Sequence, residues 1–236
     1  MRAENWWILG DPQKAMRRAV AGAPEVILTP RVSKHRLFQR AGLEILPTDA
    51  LVVFARSDDY FFGVLHSRLH EVWALRLGTR LETRPRYTPT TCFETFPFPQ
   101  PTPEQERAIA EAAKELDELR NNWLNPPEWT RTEVLEFPGS ADGPWARYVH
   151  DPDERGIGTV RYPRIVPADE VFAKKLKKRT LTNLYNERPT WLDNAHRKLD
   201  EAVFAAYGWN AGMTDEEILE NLLALNLYRA AHEGTT

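Results

Sequence analysis

Apolar residues along the chain follow two different periods, and prolines separate the segments. Short β-branched runs at 24–30 and 51–55, and an alternation of polar and apolar residues at 35–38, are typical of strands. A longer pattern, with apolar residues every three or four positions, covers 58–78 and has Gly78 as its stop. The pattern therefore predicts a small sheet with one helix in the first part of the chain.

Helical periodicity dominates the second part of the chain. The clearest pattern lies between residues 102 and 125, where a threonine cap, a proline at the first helical position and first-turn acids mark the start. Further helices are predicted over 168–186, 190–207 and 214–232. Residues 128–167 contain several prolines, so we predict an irregular segment there in which the prolines separate short extended pieces.

Four prolines at alternate positions separate these two parts. The segment Phe96-Pro97-Phe98-Pro99-Gln100-Pro101-Thr102-Pro103 cannot form a helix and favours an extended backbone. We therefore predict an α+β protein with two domains. Residues 1–99 would form a small mixed sheet with helices, and residues 100–236 would form a mainly α-helical domain.

The net charge of −3 conceals two parts of opposite sign. Residues 1–97 carry 14 Lys and Arg against ten Asp and Glu, whereas 98–236 carry 17 against 24. Net charges of +4 and −7 suggest a polyanionic partner for the first part only. A scatter of surface charge between the two parts explains the same numbers without any partner.

Composition excludes several classes of protein. The chain is 42% hydrophobic with a mean hydropathy of −0.53, and no apolar run approaches the roughly 18–20 residues that a spanning helix needs. We expect no membrane association and no signal peptide, because the apolar run before Gly10, Trp6–Leu9, is only four residues long. A single cysteine, Cys92, permits no internal disulfide, which favours the cytoplasm.

The strongest candidate for binding chemistry lies between residues 29 and 36. Cationic, imidazole and hydroxyl groups concentrate here, and such groups contact phosphates and the edges of bases in nucleic acids. The candidate contact residues are Arg31, Ser33, Lys34, His35 and Arg36. A second group begins at a later arginine and continues through three threonines: Arg86, Thr88, Thr90 and Thr91. A solvated loop edge is the alternative interpretation of both groups.

A later basic run, Lys174-Lys175-Leu176-Lys177-Lys178-Arg179, carries five positive charges on a predicted helix. Contact with a nucleic-acid backbone is one interpretation of this run. A solvated helix face, or docking to an acidic neighbour, is the interpretation that we favour.

Catalytic motifs are weak throughout the chain. Asn125-Pro126-Pro127 matches the start of the motif with which DNA amino-methyltransferases hold a flipped-out base, but Glu128 replaces the required aromatic residue. The tripeptide also follows a helical pattern, so we interpret it as a helix terminator. The Gly-x-Gly at 156–158 follows turn-forming residues, so it is predicted to be a loop and not a cofactor cradle. We interpret His66 and His70 as ordinary helix residues because no third metal ligand is evident.

Several longer runs resemble one known family. The segments TPRVSKHRLF (29–38), DDYFFGVLHSRLHEVW (58–73) and RYTPTTCFETFPFP (86–99) resemble the target-recognition domain of MmeI-like class I DNA methyltransferases. This family includes type IIL enzymes, which combine restriction and modification in one chain. Two further segments, LTNLYNERPTWL (181–192) and AHRKLDEAVFAAYGW (195–209), resemble the helical C-terminal domain of the same family.

The resemblance implies a role in recognising double-stranded DNA, without catalysis by this chain alone. In such enzymes the adenine-N6 methyltransferase core lies N-terminal to the matching region, so this chain would contain only part of the recognition domain. S-adenosyl-L-methionine is implied for that core, and we expect no cofactor in this chain. A separate or upstream methyltransferase core is the second expected partner.

Two alternative functions remain open at this point. The chain could be a protein-interaction module that docks to a separate methyltransferase subunit. It could also be a compact methyltransferase that uses Asn125, Pro126 and Pro127. Methyl transfer to DNA by the purified chain would distinguish the second alternative from the first.

Overall fold

A computed structural model describes residues 14–45, 47–82, 84–143 and 145–233, and its α+β class is the predicted one. The first part builds a three-stranded antiparallel sheet of order β2-β1-β3. Residues 24–30 and 51–55 form strands as predicted, since apolar side chains of both pack inward. The elements of this sheet and the helix before it are α1 (Lys14–Val20), β1 (Glu25–Pro30), β2 (Gln39–Gly42) and β3 (Leu51–Phe54).

Residues 35–38 do not form a strand, which corrects the prediction; their order, His-Arg-Leu-Phe, is two polar residues followed by two apolar ones and not a strict alternation. Regular pairing begins only at Gln39, because the backbone of Phe38 is bound by side chains instead of a neighbouring strand. The Phe38 N–H donates to His66 Nε2 (3.2 Å), and Arg120 donates to the Phe38 carbonyl (2.8 Å). A polar and apolar alternation identifies a strand only when a partner strand satisfies its backbone.

The helix predicted over 58–78 is interrupted by Ser67, so two helices replace it. These are α2 (Asp59–His66) and α3 (Arg68–Leu77). The Ser67 hydroxyl donates to the Val64 carbonyl (2.7 Å), and its oxygen caps the N–H of His70 (3.4 Å). A serine that satisfies backbone groups in this way competes with continuation of the helix.

Gly78 ends α3 as predicted. Its backbone is extended (φ −69°, ψ 154°), and an added Cβ would lie 2.6 Å from the carbonyl oxygens of Ala74 and Arg86. The glycine therefore permits a close approach of chain segments. A short antiparallel hairpin and a π-helical turn follow it: β4 (Thr79–Leu81), β5 (Arg84–Arg86) and the turn Pro89–Phe93.

The long helix predicted between 102 and 125 is confirmed as α4 (Pro103–Leu124). Thr102 and Gln105 form a capping box, in which each side chain accepts from the other residue's N–H (3.3 and 2.8 Å). Asn125 ends the helix, as predicted, and Pro127 begins a short 3-10 turn.

The prediction of an irregular segment over 128–167 is wrong, because most of these residues form a long antiparallel hairpin. The strands β6 (Thr130–Ser140) and β8 (Ile157–Pro167) pair along eleven residues, and the short strand β7 (Val149–His150) covers only Val160 and Thr159. Proline is tolerated where the edge of a strand is open. Pro163 lies beyond the reach of β7, so the missing N–H of this residue costs no hydrogen bond in the sheet.

Four helices follow the hairpin: α5 (Glu170–Leu176), α6 (Leu181–Glu187), α7 (Thr190–Tyr207) and α8 (Asp215–Glu233). The prediction of a single helix over 168–186 is wrong. Thr180 separates α5 from α6, because its hydroxyl oxygen accepts from the N–H of Asn183 (3.2 Å) and so caps the start of α6. The two later helices are confirmed, with Gly208 in the left-handed conformation at the end of α7 (φ +71°). No helix in the described ranges combines the length and the apolar character that crossing a bilayer requires.

The main core is shared by elements from both parts of the chain. Helices α2, α4 and α7 pack together around fully buried residues such as Phe62, Ile109 and Leu199. The proline-rich segment at 96–103 lies against the same core. Side chains of the C-terminal helices bind its carbonyls, with Tyr207 donating to Pro97 (2.8 Å) and Arg229 donating to Phe98 (2.7 Å).

Gly63 marks the closest approach of α2 to α4. A Cβ at this position would lie 2.8 Å from Ile109 Cγ2 and 2.9 Å from Ala113 Cβ. We expect Gly63→Ala to lower the free energy of unfolding by about 1–2 kcal/mol, since overpacking outweighs the gain in helix propensity. Urea unfolding measures this change. Gly212→Ala is the control, because the nearest atom to an added Cβ there is the side-chain oxygen of Asn210, at 3.3 Å, which is farther than the atoms around Gly63; equal effects at both positions would contradict the prediction.

Candidate nucleic-acid interface

The two groups of predicted contact residues lie side by side. We call residues 31–36 the β1–β2 loop and residues 84–91 the β5 segment. The Tyr87 N–H donates to the Arg31 carbonyl (2.7 Å), and the Ser33 N–H donates to the Pro85 carbonyl (3.3 Å). Val32 and Arg86 form an isolated β-bridge. Backbone pairing therefore joins two segments that are about fifty residues apart in sequence.

Arg36 fixes this junction from inside. Its side chain is only 6% exposed, and it donates to Thr29 Oγ1 (3.0 Å) and to the carbonyls of Pro30 (2.5 Å) and Pro85 (3.3 Å). The guanidinium lies 5.0 Å from the centre of the Tyr87 ring. Burial lowers the pKa of Arg36, although an arginine of this kind stays charged. Arg36 thus holds the β1–β2 loop against the β5 segment and is turned away from solvent.

Tyr87 and His70 form a neutral buried pair beneath the junction. The His70 Nδ1–H donates to the Leu65 carbonyl (2.9 Å), so His70 Nε2 accepts from the Tyr87 hydroxyl (3.0 Å). Burial lowers the pKa of His70 to about 4 and raises the pKa of Tyr87. Both side chains are therefore uncharged at neutral pH, and they support the surface without contributing charge to it.

The remaining predicted residues of the β1–β2 loop lie at the surface. Arg31 is half-buried and its Nε donates to the Asp49 carbonyl (2.7 Å), whereas Lys34 is exposed. The Ser33 hydroxyl donates to the His35 carbonyl (2.5 Å), which fixes the turn of the loop. None of these contacts neutralises the positive charge.

Asn186 of α6 is a contact that the sequence pattern did not reveal. Its Oδ1 accepts from Lys34 Nζ (2.5 Å) and from His35 Nε2 (2.9 Å). Since an amide oxygen only accepts, His35 carries its proton on Nε2. Asn186 lies in one of the segments that carry the family resemblance, but about 150 residues from the loop, so no local pattern could indicate this pairing.

The β5 segment adds hydroxyl groups and one cation, Arg86, that no carboxylate of the described residues neutralises. Arg86, Thr90 and Thr91 are exposed, and Thr88 is half-buried. Thr91 Oγ1 donates to the Thr88 carbonyl (3.4 Å), whereas the Thr88 hydroxyl makes no capping bond at the start of the π-helical turn. The segment therefore presents three hydroxyls and a guanidinium beside the β1–β2 loop.

Charge pairing distinguishes this surface from much of the rest of the molecule. Many exposed arginines of the described residues pair with carboxylates, for example Arg161 with Glu136 (3.0 Å). Within the β5 segment, Arg84 also pairs with Glu82 (3.2 Å). Arg31, Lys34 and Arg86 form no such ion pair within the described ranges. Unpaired cations remain available to an external anion, and phosphate oxygens are the anions that lysine and arginine bind in nucleic acids.

A cavity of about 320 Å³ opens beside His35, between α3, α6 and α7. Its lining mixes Arg68 and Arg188 with Glu71 and Asp200, so its charges largely balance. Burial raises the pKa of Asp200 to about 7, although Asp200 accepts from the Arg68 N–H (2.7 Å). This cavity does not extend the cationic surface.

The weak catalytic motifs occupy structural positions. The Pro126 carbonyl, which would have to hold a target amine, accepts from the Trp129 N–H (2.9 Å) and from the Thr130 hydroxyl (2.9 Å). Of the Gly-x-Gly residues, Gly156 lies in a turn with φ +74°, as a loop requires. Gly158 instead pairs within β8, which corrects the prediction of a loop there.

His66 and His70 are both buried and hydrogen-bonded, not exposed on a helix face. Burial lowers the pKa of His66 well below its usual value, and its Nε2 accepts from Arg120 (2.9 Å). In the described ranges, no group of three or more histidine, cysteine or carboxylate residues could hold a metal ion.

The fold and this surface together define an α+β recognition module, in which two joined loops present unpaired cations and hydroxyls. Residues 12–100 match the family described as "MmeI, target recognition domain", and this part of the chain is a target recognition domain of that family. The resemblance seen in the sequence is thereby confirmed.

Two relatives extend the comparison beyond residue 100. The chain is 27% identical over 205 residues to DNA methyltransferase A of Bacillus subtilis (strain 168), which covers 84% of this chain and 17% of the relative. A solved structure of the type IIL restriction-modification enzyme MmeI in complex with DNA shares the fold, with a TM-score of 0.61 and 21% identity. That match covers 94% of this chain and 25% of MmeI, so the chain spans a quarter or less of these relatives.

Proposed function

We propose that this chain recognises a target in double-stranded DNA on behalf of an adenine-N6 methyltransferase core that lies elsewhere. The observation that carries the proposal is the junction of the β1–β2 loop with the β5 segment. Three cations without a carboxylate partner in the described ranges share this surface with the hydroxyls of three threonines, and these are the groups that contact phosphates and base edges. The family match over residues 12–100 supports the same role.

The geometry of the junction suggests different roles for the predicted residues. Arg31, Lys34 and Arg86 bind phosphates, and the threonine hydroxyls and His35 lie where they contact phosphates or bases. Arg36 acts from inside, because it is only 6% exposed and three of its N–H groups bond to Thr29, Pro30 and Pro85. The contact surface is therefore smaller than the full set of predicted residues.

Catalysis belongs to the methyltransferase core in this proposal. The core supplies S-adenosyl-L-methionine and the residues that transfer the methyl group, while this chain positions the DNA. The partial coverage of both relatives supports this division, since most of their length lies outside the match. We place the chain in the cytoplasm, where the buried thiol of Cys92 stays reduced.

The double variant Arg31→Ala/Lys34→Ala tests the proposed surface. We expect it to weaken duplex binding by about tenfold to a hundredfold and to lower the slope of log affinity against log salt by about two. Electrophoretic shift assays across a series of salt concentrations measure both quantities. The change should not unfold the chain, because both side chains bond only to exposed partners.

Arg107→Ala/Lys114→Ala is the matched control. It removes the same charge from the exposed face of α4, where the side chains are 65% and 66% exposed. An affinity and a salt slope equal to those of the control would show that the β1–β2 loop does not bind DNA. Such a result would favour docking to a separate methyltransferase subunit instead.

A further inference from the structure

A second cationic surface lies at the end of α5 and in the turn after it. Its cations fall within six consecutive residues, and none of them forms an ion pair with a carboxylate in the described part of the chain. We call this surface the α5 face. Its members are Lys174, Lys175, Lys177, Lys178 and Arg179.

Aromatic rings hold two of these cations in place. Arg179 lies 4.2 Å from the centre of the Trp129 ring and 4.9 Å from that of Trp123, and it donates to the Trp123 carbonyl (2.6 Å). Lys175 lies 5.2 Å from the rings of Trp129 and Phe172, which stack on each other. These contacts order the α5 face without neutralising it, because an aromatic ring carries no net charge.

The other three cations of the α5 face are free. Lys174, Lys177 and Lys178 are exposed, and no hydrogen bond from their ammonium groups occurs within the described ranges. Lysine is depleted at the centres of protein–protein interfaces, whereas its compact ammonium group binds phosphate as a point charge. The composition of the α5 face therefore fits a phosphate backbone better than a folded protein partner.

Helix α6 connects the α5 face to the β1–β2 loop. Asn183 donates to the Lys178 carbonyl (2.7 Å) near the start of the helix, and Asn186 accepts from Lys34 and His35 near its end. Residues three positions apart share one face of a helix. Since α6 has only 7 residues, its two ends are separated by about 10 Å. The Lys178 backbone and the side chains of Lys34 and His35 thus contact the same face of α6, which brings the two cationic segments close together.

We propose that the α5 face binds backbone phosphates of the same DNA duplex that the β1–β2 loop contacts. This inference rests on the proposed function and extends it, because the second contact comes from the helical part of the chain, beyond the matched recognition domain. The two surfaces together hold a longer stretch of the duplex than either surface alone. The contact is independent of base sequence, since lysine reaches the phosphates only as a charge.

The triple variant Lys174→Gln/Lys177→Gln/Lys178→Gln of the 236-residue chain tests this inference. The probe is a fluorescent pool of duplexes with randomised sequence, titrated at several salt concentrations. We expect affinity to fall by about tenfold to a hundredfold at low salt, and the salt slope to fall by two to three. A second probe, fluorescent polyglutamate, distinguishes an acidic protein partner from DNA.

Arg107→Gln/Lys114→Gln/Arg155→Gln is the control with the same loss of charge, and all three side chains are at least 65% exposed. A triple variant that behaves like this control overturns the inference. Loss of polyglutamate binding with unchanged duplex binding also overturns it. Circular dichroism checks that each variant is folded.

The outcome separates this inference from the proposed function. If Arg31→Ala/Lys34→Ala weakens binding and the triple variant does not, only the extension fails. If the triple variant alone weakens binding, the β1–β2 loop is not the primary surface. Absence of salt-dependent duplex binding by the unaltered chain overturns both proposals.

Discussion

Replacing Arg120 with alanine is expected to lower the free energy of unfolding by about 3–5 kcal/mol. Arg120 is 1% exposed and joins α4 to the first part of the chain. It donates to His66 Nε2 (2.9 Å) and to the Phe38 carbonyl (2.8 Å), so its removal leaves two buried acceptors without this donor. Truncation also opens a cavity beside Phe62, whose ring faces the guanidinium.

Equilibrium unfolding in urea measures this loss. Arg107→Ala on the same helix is the control, because that exposed side chain pairs only with Glu104 and should change stability by less than about 1 kcal/mol. An Arg120→Ala variant as stable as this control would show that the buried guanidinium contributes nothing to the fold. Since Phe38 adjoins the β1–β2 loop, we also expect the variant to bind duplex DNA less well.

Acidification from pH 6.5 to pH 4 is expected to destabilise the protein by several kcal/mol. Burial lowers the pKa of His70 to about 4 and of His196 to about 3, and it lowers that of His66 well below 6.5. In the unfolded chain each of these imidazoles takes up a proton near pH 6.5. The folded state therefore binds fewer protons in this range, and stability falls as the pH falls.

Asp200 acts in the opposite direction. Burial raises its pKa to about 7 from 3.8, so the folded state binds an additional proton between these values. Its contribution to stability is complete below pH 3.8 and is lost as the pH rises through 7. Burial also raises the pKa of Glu71 and of Asp117, which act in the same direction as Asp200. The lowered pKa values of the three histidines, and those of Asp58 and Asp193, act against them, so we expect the net effect of acid to be a loss of stability.

The variant His70→Gln isolates one of these histidines. Wild-type stability should lose about 3 kcal/mol through His70 between pH 6.5 and 4, and the variant should lack this part of the pH dependence. Urea unfolding at several pH values measures the difference. An identical pH dependence in both proteins would mean that His70 is protonated in the folded state, contrary to its enclosure by Leu65 and Tyr87.

Elements with strong local signals could be predicted from the sequence. Thr102 and Gln105 at the start of α4, and Thr214 and Glu217 at the start of α8, form reciprocal caps that their spacing alone indicates. The left-handed Gly208 ends α7 in the same local way. Such signals depend only on neighbouring residues, so no knowledge of the tertiary structure is needed to read them.

Elements that depend on distant partners were predicted poorly. Ser67 and Thr180 interrupt helices whose apolar periodicity continues across the break, so periodicity alone suggests single helices. The hairpin of β6 and β8 was missed because its prolines suggest irregular structure. Only the pairing itself shows that Pro163 lies where the edge of β8 is open.

The candidate interface divides in the same way. Local composition identified Arg31 and Lys34, which lie at the surface with no carboxylate partner in the described ranges. It grouped Arg36 with them, although packing against Tyr87 turns Arg36 inward. Asn186 could not be found in this way, because it meets Lys34 only through the packing of α6.

The binding of Pro97 and Phe98 by Tyr207 and Arg229 has a practical consequence for exchanging modules between relatives. A graft that stops at residue 100 would transplant the β1–β2 loop and the β5 segment without α7 and α8, whose side chains bind the segment that follows them. The recipient would have to supply equivalent hydrogen-bond donors to the carbonyls of Pro97 and Phe98. Donor fragments that continue through α8 keep the hydrogen bonds from Tyr207 and Arg229, and they make the better starting material for hybrid enzymes.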